Sequence, residues 1–310
     1  MRIIFFGSPP EAANSLDSLI SAGHEVAAVY SQPDRKAGRG RAMTSTPVKT
    51  YAVEHGLPVF TPKSLRNNEE ESARLRSLRA DAFVVVAYGR ILPTELLQIP
   101  PMGVVNIHPS LLPINRGPSP VVSAILDGRT ETGVTVMLLD EGMDTGPILA
   151  QSNPVRLSGE EKGAELQALL FKEGAAMLPA VLEGLQSGSL KPQPQDESSA
   201  TVTGLLERSD GEIDWSAGAE HIDRMIRAYD PWPGTFTSWN GKGLKIVDGE
   251  LSQLQSAGAG VVSASDEGIF VGCGSGSIKL NKVQLEGRQA VSAADFLRGQ
   301  SEFDGATLGT

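Results

Sequence analysis

Residues 104–120, VVNIHPSLLPINRGPSP, open as an apolar strand and then set Asn106, His108, Ser110 and Arg116 among four prolines. The chain has only four histidines, so one placed between an Asn and a Ser at a strand end invites a chemical reading. Asn106 and His108 are two apart and project from the same face of an extended segment. Pro109 has no N–H and disfavours helix at the residue before it, so the strand ends with His108 at its carboxyl lip. A second apolar run, VMLLDEGMDTGPIL at 136–149, breaks into a turn that carries Asp144 between Gly142 and Gly146. One helix-like stretch joins the two runs, which makes them candidate neighbours and lets Asp144 approach His108. Imidazole titrates near neutrality. A nearby carboxylate orients it and favours its charged form. A carboxamide N–H aimed at a developing oxyanion is worth on the order of 10²–10³-fold in rate. Together the three suit attack of an amine on an acyl carbon through a tetrahedral intermediate.

Each residue alone has a plainer reading. A strand-end His is commonly a satisfied structural group, an Asp between glycines a turn residue, and Ser110 a cap for the turn after Pro109. Other chemistries find less support. Zinc would need more ligands than the region's single histidine, and neither H-E-x-x-H nor C-x-x-C occurs. No G-x-S-x-G elbow marks a serine hydrolase. The first strand is followed by GSPP rather than G-x-G-x-x-G, and two prolines without N–H groups make a poor phosphate cradle.

The elements that must position the trio are legible as apolar runs. RIIFF at 2–6, EVAAVY at 25–30, AFVVVA at 82–87, GVVNI at 103–107 and TGVTVMLLD at 132–140 read as strands. Helical stretches are predicted at 9–22, 47–55, 68–79, 118–126 and 160–187. Near-continuous Val/Ile strands alternating with helices predict a doubly wound, mostly parallel sheet of Rossmann-like α/β class over residues 1–190. In such a sheet ligands sit at the carboxyl ends of the strands, where His108 is expected. GSLKPQPQDESSA turns polar and Pro-rich, so 191–204 is expected to be a linker. Short Gly-punctuated strands over 205–310 predict a small OB-like β-barrel.

Composition is that of an ordinary globular protein: 310 residues, 40% hydrophobic and 21% charged, with a net charge of −10. No run of 18 apolar residues predicts a membrane span. The apolar start at residues 3–6 is shorter than a signal-peptide core and reads as a first strand. Cys273 is the lone cysteine, which points to a reducing cytoplasmic setting.

The motif NIHPSLLPINRGPSP together with DEGMDTGPIL resembles the shared core of the enzymes that use 10-formyltetrahydrofolate. MRIIFFGSPPEAANSL, HEVAAVYSQPDRKAGRGRAMTSTPVK, VVVAYGRILP, DGEIDW, IRAYDPWPGTFT and SAADFLRG extend the likeness over essentially the whole chain. In this order they resemble the methionyl-tRNA formyltransferase family. The resemblance implies that Asn106, His108 and Asp144 are the catalytic trio and that SLLP, Ser110, Leu111, Leu112 and Pro113, belongs to the folate site. It also implies that Tyr88, Gly89, Arg90, Ile91 and Leu92 line the pterin pocket, with main-chain groups reading the ring's edge. The formyl donor would be 10-formyltetrahydrofolate, the acceptor the methionyl amine of initiator tRNA, with no metal. A monomer is expected.

The run DRKAGRGRAMTSTPVK holds Arg35, Lys36, Arg39, Arg41 and Lys49 against one acid, Asp34. By composition it is a solvated loop; by resemblance it enters the tRNA acceptor arm, where a local basic field suffices. Residues 205–310 carry nine Lys/Arg and fifteen Asp/Glu, so a basic face there would rest on a few side chains such as Arg224, Arg227, Lys242 and Lys279. Trp232 is expected to pack a corner of this domain. Competing readings are a formyltransferase acting on a small amine, a formyl-folate hydrolase in which water replaces the amine, and a non-catalytic RNA-binding protein. The basic loop and second domain argue against the first, because a small substrate needs neither.

Overall fold

The computed structural model describes residues 1–37, 42–252, 254 and 258–309. The chain divides into two compact units, one of Met1–Pro120, Thr132–Val155 and Gln167–Thr203, the other of Val121–Glu131, Arg156–Leu166 and Gly204–Thr310.

The first unit is built on a seven-stranded sheet. Its strands are β1 (Arg2–Gly7), β2 (Glu25–Tyr30), β3 (Val59–Phe60), β4 (Ala82–Val86), β5 (Val104–His108), β6 (Thr135–Leu138) and β7 (Ile148–Gln151), in the spatial order β7-β6-β5-β4-β1-β2-β3. β3, β2, β1, β4 and β5 pair in parallel, whereas β6 and β7 close one side antiparallel. Both faces are covered, as the uninterrupted apolar strands require. Ile3, Phe5, Val84, Val105 and Ile107 pack on one face with helices α1 (Pro10–Ser21), α2 (Pro47–Glu54) and α4 (Gly163–Ser187). Ile4, Phe6, Tyr30, Phe83 and Val85 pack on the other with α3 (Glu69–Ser77). On α4, Gly174 presses on β5: a Cβ there would lie 2.5 Å from Ile107 Cγ2. Ile107 is thereby fixed between Asn106 and His108, whose side chains point to the opposite face.

The expected strand 132–140 is shorter than predicted, and its partner direction is antiparallel. Gly133 marks the break, since a Cβ there would lie 2.6 Å from Leu111 and 2.9 Å from Ser152 Oγ. The polar stretch after α4 runs over the first unit as far as Thr203, extended apart from one 3-10 turn at Glu197–Ser199. Gln193 bridges Ile148, Val202 bridges Arg116, and Thr201 and Thr203 exchange backbone hydrogen bonds with residues 113–116.

The second unit carries antiparallel strands β8 (Thr235–Trp239), β9 (Lys242–Ser252), β10 (Val262–Ser265), β11 (Gly268–Gly272), β12 (Ser277–Leu285) and β13 (Val291–Ser292). Their order is β8-β9-β12-β11-β10, with β13 on β12. β8 and β10 end the sheet among the described residues, and the C-terminal tail bonds to both edges: Val262 N donates to Ala306 O, and Gly309 N to Ser238 O. Two helices that the Gly-rich pattern did not suggest, α5 (Ala219–Ala228) and α6 (Ala293–Gly299), supply Ile222, Ile226 and Phe296 to the core. Trp232 departs from the expected corner packing: it is 56% exposed, while Trp215 and Trp239 are buried. It sits in the turn between α5 and β8, outside the core cluster that those two tryptophans help to fill.

Candidate active site

β5 delivers Asn106 and His108 to one face at the carboxyl end of the sheet. The His108 side chain is 5% exposed, and its Nε2 lies 2.8 Å from the Asn115 carbonyl oxygen. A carbonyl only accepts, so this contact pins a proton on Nε2 and leaves Nδ1 as the working nitrogen. Nδ1 faces Asp144 Oδ2 at 3.5 Å, and the same oxygen accepts a hydrogen bond from Gly117 N at 2.8 Å. Burial pushes the His108 pKa below its ordinary value; the Asp144 charge and the bond to Asn115 pull the other way. A neutral imidazole with Nε2 protonated presents a bare lone pair to a carboxylate across 3.5 Å. The pair therefore has room for one proton between them. The Asn106 carboxamide is half-buried, with no hydrogen-bond partner among the described residues.

The loops that hold this arrangement are tightly determined. Asp144 has φ +54°, a left-handed conformation that Asp tolerates better than most residues. Asp140 Oδ1 caps its turn by accepting from Gly142 N at 3.1 Å and Thr145 Oγ1 at 2.7 Å. Gly146 crosses Leu138 so closely that a Cβ would lie 1.9 Å from that residue's carbonyl oxygen. The opposite loop passes through Asn115 at φ +59° and Gly117 at φ +100°. A Cβ on Gly117 would lie 2.7 Å from Thr203 O. Arg116, read from sequence only as a member of the motif, is buried and forms a two-pronged ion pair with Glu197 at 2.9 and 2.7 Å.

The SLLP turn is a scaffold in this structure. Ser110 Oγ donates to Ile114 O at 2.6 Å, Leu112 N donates to Thr135 Oγ1, and Leu112 O accepts from Gln151 Nε2. Leu111 and Pro113 remain half-buried beside His108. In the stretch after β4, Tyr88 and Leu92 are buried, whereas Gly89 is exposed and Ile91 is 92% exposed. The Tyr88 hydroxyl has no partner among the described residues, and burial pushes its pKa up to about 12. Gln32, which carried no sequence signal, ties this stretch down: Nε2 donates to Tyr88 O at 3.1 Å, and Oε1 accepts from Arg90 Nε at 2.9 Å and Arg35 Nη2 at 3.3 Å. A cavity of about 570 Å³ lies at the opposite, amino end of the strands, lined by Arg76, Arg79, Asp81 and Glu95. It contains none of the predicted site residues, and the approach of His108 to Asp144, with Asn106 on the same strand face as His108, makes the carboxyl end the better candidate.

Residues 1–182 match the family described as Formyl transferase, and residues 205–301 match Formyl transferase, C-terminal domain. The methionyl-tRNA formyltransferase of Roseiflexus sp. (strain RS-1) is 47% identical over 312 residues, covering 100% of this chain and 95% of the relative. That of Chloroflexus aggregans is 48% identical, covering 96% and 97%. The chain belongs to the methionyl-tRNA formyltransferase family. Solved formyltransferase-like structures share the fold at lower identity. The N-formyltransferase from Helicobacter canadensis in complex with folinic acid and dTDP-3-aminofucose superposes with TM-score 0.65 at 19% identity, covering 93% of this chain and 99% of that one. HypX from Aquifex aeolicus in complex with tetrahydrofolic acid superposes with TM-score 0.66 at 20% identity. That match covers 98% of this chain but 47% of HypX, so the chain spans about half the length of that neighbour.

In this family member the basic run forms a hairpin, with Arg35 paired to Thr44 and Lys36 to Met43. Arg35 and Lys36 are exposed; Arg39 and Arg41 lie outside the described residues. Lys49 Nζ contacts both Asp34 carboxylate oxygens at 2.8 Å, which holds the Asp34 carboxyl below the usual carboxylate range. In the second unit Arg224 donates to Leu126 O, Arg227 pairs with Asp223, and Lys279 with Glu250. Lys242 makes no ion pair among the described residues.

Proposed function

We propose that this chain transfers the formyl group of 10-formyltetrahydrofolate to the α-amine of methionine on initiator methionyl-tRNA, giving N-formylmethionyl-tRNA for translation initiation. The observation that carries the reading is the approach of His108 Nδ1 to Asp144 Oδ2, with the carboxamide of Asn106 on the same strand face as His108. Folate fits the surroundings in chemical type: an exposed Ile91 and half-buried Leu111 and Pro113 offer apolar contact beside main-chain polar groups.

In this reading Asn106 donates an N–H to the oxygen that becomes negative as the amine adds to the formyl carbon. The His108–Asp144 pair takes the proton that the amine loses and returns one to the folate nitrogen as its bond to the formyl carbon breaks, so the pair ends as it began. His108, protonated on both nitrogens in between, adds a second donor from Nδ1. Burial suits it to the task, because an imidazole kept neutral at pH 7 can accept that proton. Residues 1–190 then form the catalytic domain, 191–204 the connection, and 205–310 an OB-like, tRNA-binding domain in which the tail's bonds to both sheet edges favour closure. The cations of the basic run, Arg35, Lys36, Arg39, Arg41 and Lys49, would serve the acceptor arm. The enzyme would act as a monomer in the cytoplasm; among the described residues no helix is long and apolar enough to cross a membrane.

The test supplies 10-formyltetrahydrofolate with charged initiator tRNA, charged elongator tRNA, a small amine or water, and follows formyl transfer. Transfer to initiator methionyl-tRNA with at least ~10²-fold preference over the small amine supports the proposal. Preferred transfer to the small amine, or formate release alone, overturns it in favour of a small-molecule formyltransferase or a formyl-folate hydrolase.

A further inference from the structure

Beyond the trio lies a side chain that uses both of its N–H donors on the loop that carries Asp144 and accepts from the loop that faces it. Gln195 comes from the polar stretch between the predicted domains. Its Nε2 donates to Asp144 O at 2.8 Å and to Gly146 O at 2.7 Å, spanning Thr145 on both sides. Its Oε1 accepts from Arg116 Nε at 3.0 Å. Arg116 in turn belongs to the loop that faces the trio. The carbonyl of its neighbour Asn115 accepts a hydrogen bond from His108 Nε2, and its other neighbour Gly117 donates to Asp144 Oδ2. The same strap grips that loop elsewhere too: Asn115 N donates to Thr201 Oγ1 at 2.8 Å, Arg116 N to Thr201 O at 2.9 Å, and Thr203 N to Arg116 O at 2.7 Å.

We propose that Gln195 is a positioning residue for the reaction: it joins the loop that carries Asp144 to the loop that orients His108, and so fixes the carboxylate–imidazole separation. The chemistry demands this kind of support. Asp144 sits in a left-handed conformation, and the two carbonyls that flank Thr145 point at Gln195 rather than into a regular element. A primary amide is the neutral side chain that gives two N–H donors from one nitrogen while accepting at the other end. Glutamate would set an oxygen against both carbonyls. A misplacement of about 1 Å in a catalytic group can lower turnover by roughly 10²-fold.

The inference rests on the functional reading above, and its test separates the two. Formyl transfer to initiator methionyl-tRNA is measured for the full chain, for Gln195→Met, for Asp144→Asn and for the double variant, with thermal unfolding recorded for each. Gln195→Met is expected to lower kcat by about 10- to 100-fold with KM for formyl-folate within about threefold, in protein still folded at the assay temperature. In the Asp144→Asn background the same change should cost less than about threefold, because the group it positions is gone. Should Gln195→Met be too unstable to assay, Gln195→Glu, which keeps the acceptor for Arg116, is expected to lose turnover to the same degree. Unchanged kcat in either folded variant, or an undiminished loss in the Asp144→Asn background, overturns the positioning role. An Asp144→Asn enzyme of full activity, or a wild type that does not formylate the tRNA, would instead overturn the functional reading beneath it.

Discussion

His108 has one ring nitrogen free for chemistry because the Asn115 carbonyl occupies the other. That geometry divides labour between the two residues on β5, and the division can be measured. Asn106→Ala removes a donor that no group among the described residues uses, so the fold should keep its stability and its affinity for formyl-folate. Turnover should fall by 10²-fold or more, which single-turnover kinetics beside a folate binding titration would register. Near-normal turnover would remove Asn106 from the oxyanion role. The buried histidine gives a second expectation, on pH. Its folded pKa lies below its unfolded value near ~6.5, so below that pH the unfolded chain binds the extra proton more readily than the native one. This contribution to stability is therefore fully present above pH ~6.5 and is lost as pH falls towards the folded pKa. Asp144 and the Asn115 carbonyl, the polar groups that face the ring, limit the size of the effect but not its sign. Turnover should show an acid limb below pH ~6.5. Urea unfolding at pH 5.5 and 7.5 should find the wild type losing more stability on acidification than His108→Gln does.

At the scale of elements, two crossing loops at the strand ends do the positioning, and close approach is what they have in common. Gly146→Ala puts a methyl group 1.9 Å from the Leu138 carbonyl oxygen, with backbone rather than a flexible side chain as the obstacle. The turn must open, at a cost of about 1–3 kcal/mol. Asp144, two residues away, must move with it. A lower midpoint in thermal unfolding and a fall in turnover should therefore appear together. The parts of this arrangement that could be read from sequence were the local ones. Continuous Val/Ile runs announced the strands, Pro109 marked where β5 ends, and spacing placed Asn106 and His108 on one face. The strap was not legible, because PQPQDESSA has the composition of a solvated connector. Its work is done by Gln195, Thr201 and Thr203 on backbone groups about 50 to 87 residues away, which leaves no periodic trace. The helix α5 does leave a trace: Ile222, Met225 and Ile226 recur at helical spacing inside a stretch otherwise dominated by glycines and short strands.

Viewed as a whole, the molecule poses an electrostatic problem. It carries 27 Lys/Arg against 37 Asp/Glu, and the acceptor proposed for it is a polyanion. Binding must then rest on local charge, and the hairpin and the first turn of α2 offer it unevenly. Arg35 and Lys36 are exposed, whereas the Lys49 ammonium already sits between the Asp34 oxygens. Each phosphate neutralised contributes about 0.7–0.9 to the slope of log K against log salt, since a bound cation releases condensed counterions. A lysine already neutralised by a carboxylate contributes less. Lys36→Ala should therefore flatten the salt dependence of initiator tRNA binding by about 0.7–0.9, and Lys49→Ala by clearly less. Asp34→Asn should do the reverse: freed from its partner, Lys49 can meet a phosphate, which tightens binding at low salt and steepens the slope. Filter binding or fluorescence anisotropy from ~50 to 300 mM salt resolves differences of this size. Equal slopes for Lys36→Ala, Asp34→Asn and the wild type would mean that the hairpin does not meet the tRNA backbone. The attraction would then have to come from cations elsewhere, with Lys242 of the acidic second unit, which has no ion pair among the described residues, the first to replace.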